Sequence, residues 1–248
     1  MQKATINKFI SVALELGGKD PAYVRHDADI EKSVENLVDG SFFNSGQSCC
    51  GIERIYVDKK IYNKFLELFI TKTYEYKLGD PLNKDTNLGP VVKLSAAKFI
   101  EDQMNSAVKK GAKMMIDKSK FNYPNEHKNY MIPQVLTEVN HEMDFMMEET
   151  FGPCVGIMPV ANDKEGIDLM NDSPYGLTAS IWTKDLEIAE KLGNEVNTGT
   201  LFMNRCDYLD PGLSWTGVKE TGKGCSLSEI AYEHLTKPKS FHLRKVLK

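Results

Sequence analysis

Arginine is nearly missing from this chain. Of 31 basic residues only Arg25, Arg54, Arg205 and Arg244 carry a guanidinium, and none but Arg205 is a candidate to clamp a carboxylate. The formal net charge is -4, which argues against the concentrated positive field that a phosphate-backbone binder needs, so no nucleic-acid partner is expected. No apolar run approaches the roughly 18 residues of a membrane span, and no membrane partner is expected either. Residues 1–10 lack a basic segment followed by an apolar one, the mark of a secretory leader. The five cysteines form no CxxC pair, and His26, His127, His141, His234 and His242 keep no ligand spacing with them. That argues against a structural zinc site or any other metal, and against a disulfide scaffold. Unpaired thiols fit a reducing compartment, so the expected location is the cytoplasm. No GxGxxG turn follows any candidate strand, and no internal repeat is present.

What is present suffices for a core: 248 residues, 41% of them apolar. Residues 9–16 (FISVALEL) read as a buried strand that stops at Gly17-Gly18. Asp27 and Asp29 are N-cap candidates for a helix whose apolar positions Ile30, Val34, Leu37 and Val38 recur at helical spacing. Small, turn-prone residues interrupt it at 42–51 (FFNSGQSCCG). A strand over 52–57 and a helix over 60–74 follow, then a loop at 79–92 and a helix over 94–110 ending at Gly111. A short strand at 114–116 leads to a polar, exposed excursion at 118–129. Strands are predicted at 130–137, 154–160, 177–182 and 199–204, with helices at 163–171 and 185–194 between them. An irregular stretch (205–225), a last helix near 226–235 and a possible strand at 238–246 complete the chain. Alternation of this kind predicts an α/β protein with an open, mostly parallel twisted sheet and flanking helices. Ligands of such sheets gather at the carboxyl ends of the strands, where Glu15 with its Gly-Gly turn, the 44–51 loop and the 204–217 stretch are expected to meet.

Two residues carry candidate chemistry. Cys49 lies in a loop of small residues, which lets a thiol approach a ligand and lets backbone N–H groups converge on one point. By itself a cysteine in a loop is more often structural or incidental. Glu15 is the odd carboxylate in an apolar run. Buried, it would be pushed toward neutrality and suit a general base; on an alternating strand it would simply face water.

Taken together, LELGGKDP (14–21) and FFNSGQSCCGIERIYV (42–57) resemble the aldehyde dehydrogenase superfamily, in its C-terminal, catalytic-domain half. The downstream landmarks stand in that family's order: GDP (79–81) with TNLGPVV (86–92), the Glu148-Glu149-Thr150-Phe151-Gly152-Pro153 stretch, NDSPYGL (171–177), GTLFMN (199–204) and GVKETGKG (217–224). The resemblance extends over essentially the whole chain from about Phe9.

The resemblance implies a mechanism. Cys49 as thiolate would attack an aldehyde carbon, with its own backbone N–H donating to the oxyanion. Hydride would pass to NAD or NADP, and Glu15 would activate the water that releases a carboxylic acid from the thioester. Presence of that base favours the hydrolytic branch over relatives that hand the acyl group to CoA. Glu149 resembles the residue that binds the nicotinamide ribose and Phe151 the one against the nicotinamide, with Leu16 and Gly17 alongside; a solvated charge and a core aromatic are the alternatives. Asn204, Cys206, Tyr208, Leu213 and Trp215 would border the aldehyde entrance, giving an apolar, aromatic wall suited to a small neutral aldehyde. Cys50 is expected to shape the pocket or stay inert. The implied division is 1–18 as the last strand of a cofactor-binding domain, 19–236 as catalytic domain and 237–248 as an oligomerisation strand, in a homo-dimer or homo-tetramer.

The family's Gly-rich pyrophosphate turn, adenosine-side lysine and oxyanion-hole asparagine are not found in this sequence. The expectation is a fragment, half of a split enzyme partnered by a cofactor-domain half, or a chain that folds alone with altered activity and little NAD-dependent oxidation of its own. Three rival readings stand beside the dehydrogenase. Cys49 and Glu15 could hydrolyse activated esters without a nicotinamide. Gly217 to Gly224 approximates a nucleotide-triphosphate loop, although Gly224 replaces the hydroxyl that would ligate Mg²⁺. The chain could also be a non-catalytic subunit whose exposed apolar face or terminal strand recruits a partner.

Overall fold

A computed structural model describes residues 1–121 and 128–246. The strands in chain order are β1 (Leu14–Glu15), β2 (Asp20–Val24), β3 (Ile52–Asp58), β4 (Lys113–Met114), β5 (Gln134–Thr137), β6 (Cys154–Val160), β7 (Tyr175–Gly176), β8 (Thr178–Trp182), β9 (Thr200–Met203), β10 (Val218–Lys219) and β11 (Gly222–Lys223). The helices are α1 (Gln2–Thr5), α2 (Ile30–Phe42), α3 (Tyr62–Thr73), α4 (Leu94–Lys109), α5 (Asp144–Met147), α6 (Asp163–Asn171), α7 (Leu186–Gly193) and α8 (Ile230–Leu235). The main sheet has the order β4-β5-β6-β3-β2-β8-β9. Its pairs are parallel except for the β4–β5 edge.

Side-chain alternation along the parallel strands divides the core into two layers. Ala22, Val24, Ile55 and Val57 face Val34, Leu37 and Phe42 of α2 and Phe65 and Phe69 of α3. Tyr23, Tyr56, Ala179 and Ile181 face the other way, toward Ile100 and Met104 of α4, Phe145 of α5, Ile167 of α6 and Leu192 of α7. Helices on both faces explain why the central strands read as continuous apolar runs. Burying each large apolar side chain in these layers contributes roughly 1.5–3 kcal/mol.

Local chemistry sets the element that carries the nucleophile candidate. Asp29 caps α2 by accepting the Lys32 N–H at 3.2 Å. The helix stops where Asn44, Ser45 and Gly46 all adopt left-handed backbone. Gly46 is required there: a Cβ would stand 2.1 Å from the Gly152 carbonyl oxygen. The 44–51 loop is thereby held against residues 152–153, ahead of β6.

Several expectations need correction. Residues 9–16 do not form a buried strand. Only Leu14 and Glu15 ladder, antiparallel to Lys223 and Gly222 in a two-stranded ribbon, while Phe9, Ile10 and Leu16 are exposed. An apolar run signals strand propensity but cannot supply a layer to pack against. The strand that does enter the main sheet, β2, lies just after the Gly-Gly turn, where the sequence reading placed none. Residues 238–246 join no strand and are exposed. The last helix starts only at Ile230, because Leu227 and Ser228 have positive φ. The 217–224 segment forms β10 and β11 around a turn, whereas a triphosphate loop would open a helix. Within the 118–129 excursion, Phe121 is buried; 122–127 fall outside the described residues, as do 247–248 of the tail.

Candidate active site

The candidate residues gather at the amino ends of the parallel strands, opposite to the expected end. Gly17 and Gly18 lead into β2, Cys49 and Cys50 into β3, Phe151 to Pro153 into β6 and Leu177 into β8. The inversion follows from β1, which was read as the strand whose carboxyl end held Glu15, whereas Glu15 approaches β2 from its start. Gly18 lies at the centre: a Cβ there would meet Asp20 Oδ1 at 2.7 Å and the Cys49 carbonyl oxygen at 2.9 Å.

Cys49 and Glu15 line one open cleft of about 680 Å³, with Asp39, Phe43, Ser48, Cys50, Asp207, Tyr208, Leu209, Trp215, Ser226 and Leu227. Cys49 is exposed. A hydrogen bond from the Cys50 thiol and one from its own backbone N–H hold its thiol down at about 7, against partial burial and the Glu15 and Asp207 charges. The same bond, burial and Asp207 push the Cys50 thiol up. Glu15 is exposed rather than buried in an apolar strand. Its carboxylate accepts the Ser226 hydroxyl, and Ser226 is fixed by two backbone bonds to Trp215, of 2.7 and 2.8 Å.

The second cluster faces Gly17 and Gly18. Glu149 is half-buried, which pushes its carboxyl up, and its Oε1 accepts the Gly18 N–H at 3.1 Å. A Cβ on Gly17 would collide with the same oxygen at 2.2 Å. Its Oε2 has no hydrogen-bond partner among the described residues. Phe151 is partly exposed and holds a left-handed backbone, φ 53°. That conformation is fixed from below. The buried Glu53 carboxylate accepts the Thr150 and Phe151 N–H groups at 2.9 Å each, and Lys19, 1% exposed, pairs with Glu53 at 2.5 Å and with the Thr150 hydroxyl at 2.8 Å.

A family model, the aldehyde dehydrogenase family, matches residues 1–241. The chain belongs to the aldehyde dehydrogenase family. It is 35% identical to an aldehyde dehydrogenase of Agaricus bisporus over 98% of this chain and 48% of the relative, and 34% identical to a 3-sulfolactaldehyde dehydrogenase of Priestia aryabhattai over 91% and 46%. Among solved structures, betaine aldehyde dehydrogenase from Staphylococcus aureus in complex with NAD+ superposes with a TM-score of 0.87 at 32% identity, over 94% of this chain and 46% of that one. The NADP-dependent glyceraldehyde-3-phosphate dehydrogenase from Bacillus halodurans, complexed with NADP, gives 0.86 at 32% identity, over 93% and 47%. The chain thus spans about half the length of the relatives it matches.

Within this aldehyde dehydrogenase family chain, the remaining candidates separate. Tyr208 and Trp215 line the Cys49 cleft. Leu213 is exposed. Asn204 pairs with the Thr183 backbone, at 3.1 and 2.8 Å, and borders another cavity with Asp29, Lys32 and Trp182. Cys206 packs on Gly40 of α2. Arg205 lies over the Tyr208 ring, 3.1 Å from its centroid. The sequence reading missed Asp207, Ser226 and the Lys19–Glu53 pair. Opposite charges at Lys19, just after the Gly17-Gly18 turn, and at Glu53, inside the predicted 52–57 strand, were the available signal for that pair. Asp207 and Ser226 had none. Among the described residues, no group of three or more His, Cys, Asp or Glu side chains is placed to hold a metal, and no helix is long and apolar enough to cross a membrane.

Proposed function

We propose that the chain oxidises a small aldehyde to a carboxylic acid, with Cys49 as nucleophile, Glu15 as general base and NAD+ or NADP+ as hydride acceptor. The observation that carries this reading is the shared cleft: an exposed thiol held at about 7 and a carboxylate from a distant segment line one wall-to-wall space. The Cys49 thiolate adds to the aldehyde carbon, and the resulting oxyanion is met by the Cys49 backbone N–H. The oxidised nicotinamide, when bound, supplies the acceptor for the hydride that leaves that carbon, so the acyl group remains on Cys49 as a thioester. Glu15 takes a proton from water, the water oxygen attacks the thioester carbonyl, and the thiolate departs as the carboxylic acid forms.

The second cluster fits the nicotinamide end of such a cofactor. Glu149 Oε2 is available to accept ribose hydroxyls, and the partly exposed Phe151 follows two residues on. The bare backbone of Gly17, with Leu16 before it, permits close approach. One solved relative holds NAD+ and another NADP, which supports a nicotinamide dinucleotide of either kind. Phe43, Tyr208, Leu209 and Trp215 favour a neutral, apolar aldehyde, and Arg205 is already engaged on Tyr208. We assign 19–236 to the catalytic unit, 1–18 to the margin of a cofactor-binding unit, and the tail from 237, with exposed Phe241, Leu243 and Val246, to assembly with a second copy.

The test is aldehyde-dependent reduction of NAD+ or NADP+ by the chain supplemented with a separately produced dinucleotide-binding domain of a relative. Reduction that disappears in Cys49→Ala is the expected result. Binding of the two parts without any reduction would contradict it. The cleft also supports a second activity, the hydrolysis of an activated ester, because a thiol and a carboxylate line it together; such hydrolysis should vanish in Cys49→Ala and ignore added NAD+.

A further inference from the structure

The Cys50 side chain carries one proton and has two acceptors within reach. One is the Cys49 sulfur, whose thiolate that proton stabilises. The other is the Asp207 carboxylate, whose Oδ1 lies 2.9 Å from Cys50 Sγ. The same oxygen accepts the Ser48 hydroxyl at 2.9 Å, and Ser48 Oγ is 3.5 Å from Cys50 Sγ. Asp207 therefore grips both neighbours of Cys49. It does so from the loop after β9, at a left-handed residue, φ 45°, which turns its carboxylate into the cleft. A carboxylate is a far stronger acceptor for a thiol proton than a thiol sulfur is, and charge-assisted bonds are about twice as strong as neutral ones.

We propose that Asp207 is a positioning residue that restrains the nucleophile by competing with Cys49 for the Cys50 proton. The proposal rests on Cys49 being the reactive thiol, but not on the dehydrogenase reaction. Two effects act in the same direction. Asp207 draws toward itself part of the donor that stabilises the Cys49 thiolate, and its own charge opposes ionisation of that thiol. The other groups facing Cys49 are Glu15 from β1 and Asp20 from β2, with Asp39 of α2 on the same cleft wall. All are acids, and no lysine, arginine or histidine lines the cleft among the described residues. The structure thus holds a thiol that is reactive but kept below its full reactivity until a ligand or a displaced Asp207 frees the Cys50 proton.

The experiment is the rate at which iodoacetamide alkylates Cys49 in the full chain, read by peptide mass spectrometry across a pH series; it needs neither aldehyde nor nicotinamide. In Asp207→Asn, alkylation at a pH about two units below the thiol's midpoint should rise by about tenfold, the thiolate gain of one pKa unit. In the Cys50→Ala background the same substitution should gain only about twofold, because charge removal alone remains. An unchanged rate in Asp207→Asn, or an equal gain with and without Cys50, would overturn the proposal. Cys50→Ala alone provides a check should Asp207→Asn fail to fold. It should slow alkylation, because Cys49 loses the donor it shares with Asp207, whereas an unchanged or faster rate would show that the Cys50 proton never serves Cys49 and would overturn the assignment. If alkylation spares Cys49 altogether, its role as the reactive thiol fails first, and that outcome also overturns the proposal.

Discussion

Ser226 and Glu15, from opposite ends of the chain, are joined by a hydrogen bond in which the serine hydroxyl donates to the carboxylate. Among the described residues no other hydrogen bond anchors that exposed side chain. Ser226 in turn is held by the Trp215 backbone in an isolated antiparallel bridge. The position of the proposed general base is therefore set by a residue more than two hundred positions downstream.

Ser226→Ala should leave the rate of Cys49 alkylation unchanged and slow the release of an acyl group from Cys49 by about tenfold, since an unanchored base spends less time aligned with the attacking water. Separate measurement of acylation and deacylation with an activated ester distinguishes the two. Equal loss in both steps would show that Ser226 holds the loop rather than the base.

Lys19→Met leaves the Glu53 carboxylate buried without its cation, and breaking a buried pair in this way costs about 3–5 kcal/mol. Denaturant unfolding should show a loss of that size. The substitution also loosens the support under Thr150 and Phe151, so nicotinamide affinity should fall with it. A loss below about 1 kcal/mol would mean that the pair is not the buried contact described.

His141 is sandwiched between Tyr56 and Asp172, at 2.8 and 2.6 Å. Burial holds its imidazole below the ordinary histidine value, and the Arg54 charge adds to this, against the pull of Asp172. The unfolded chain therefore binds the proton more readily than the folded one. Stability from this group is present above about pH 6.5 and is lost as the pH falls through the lowered folded value. Melting across that range should show a decline that is reduced in His141→Asn, and an identical slope in both proteins would contradict it.

Gly46→Ala puts a Cβ against the Gly152 carbonyl at a positive φ of 69°. Alanine is strained there whatever the space, by more than about 1 kcal/mol. The expected result is a lower melting temperature together with slower acylation of Cys49, because the loop that presents the thiol must move. Unchanged melting and acylation would show that the loop is not pinned at this contact.

Much of the fold was legible in the sequence because periodicity reports burial. The spacing of Val34, Leu37 and Val38 gave α2 its inner face, and the β3, α4, α6 and β8 expectations fall within a residue or two of the observed elements. The failures have a common cause: local pattern does not name the partner. FISVALEL looks like a core strand, yet it finds only Gly222 and Lys223 to ladder with. β2 was hidden because Asp20 and Pro21 at its start look like a turn, whereas Asp20 is buried and satisfied by the N–H and hydroxyl of Thr178. Cys49 and Glu15 could be singled out by residue type and by the motifs around them. Asp207, Ser226 and the Lys19–Glu53 pair act through contacts with segments remote in the chain, and only the folded arrangement brings those contacts together.

The central claim is that Glu15 serves the deacylation of Cys49. The most direct measurement is stopped-flow hydrolysis of a chromogenic ester by Glu15→Gln. The account predicts a burst of about one product per chain followed by turnover slowed by roughly 100-fold or more, with the acyl group found on Cys49 by mass spectrometry. A variant that turns over at the parental rate, or one that loses the burst along with turnover, would contradict it.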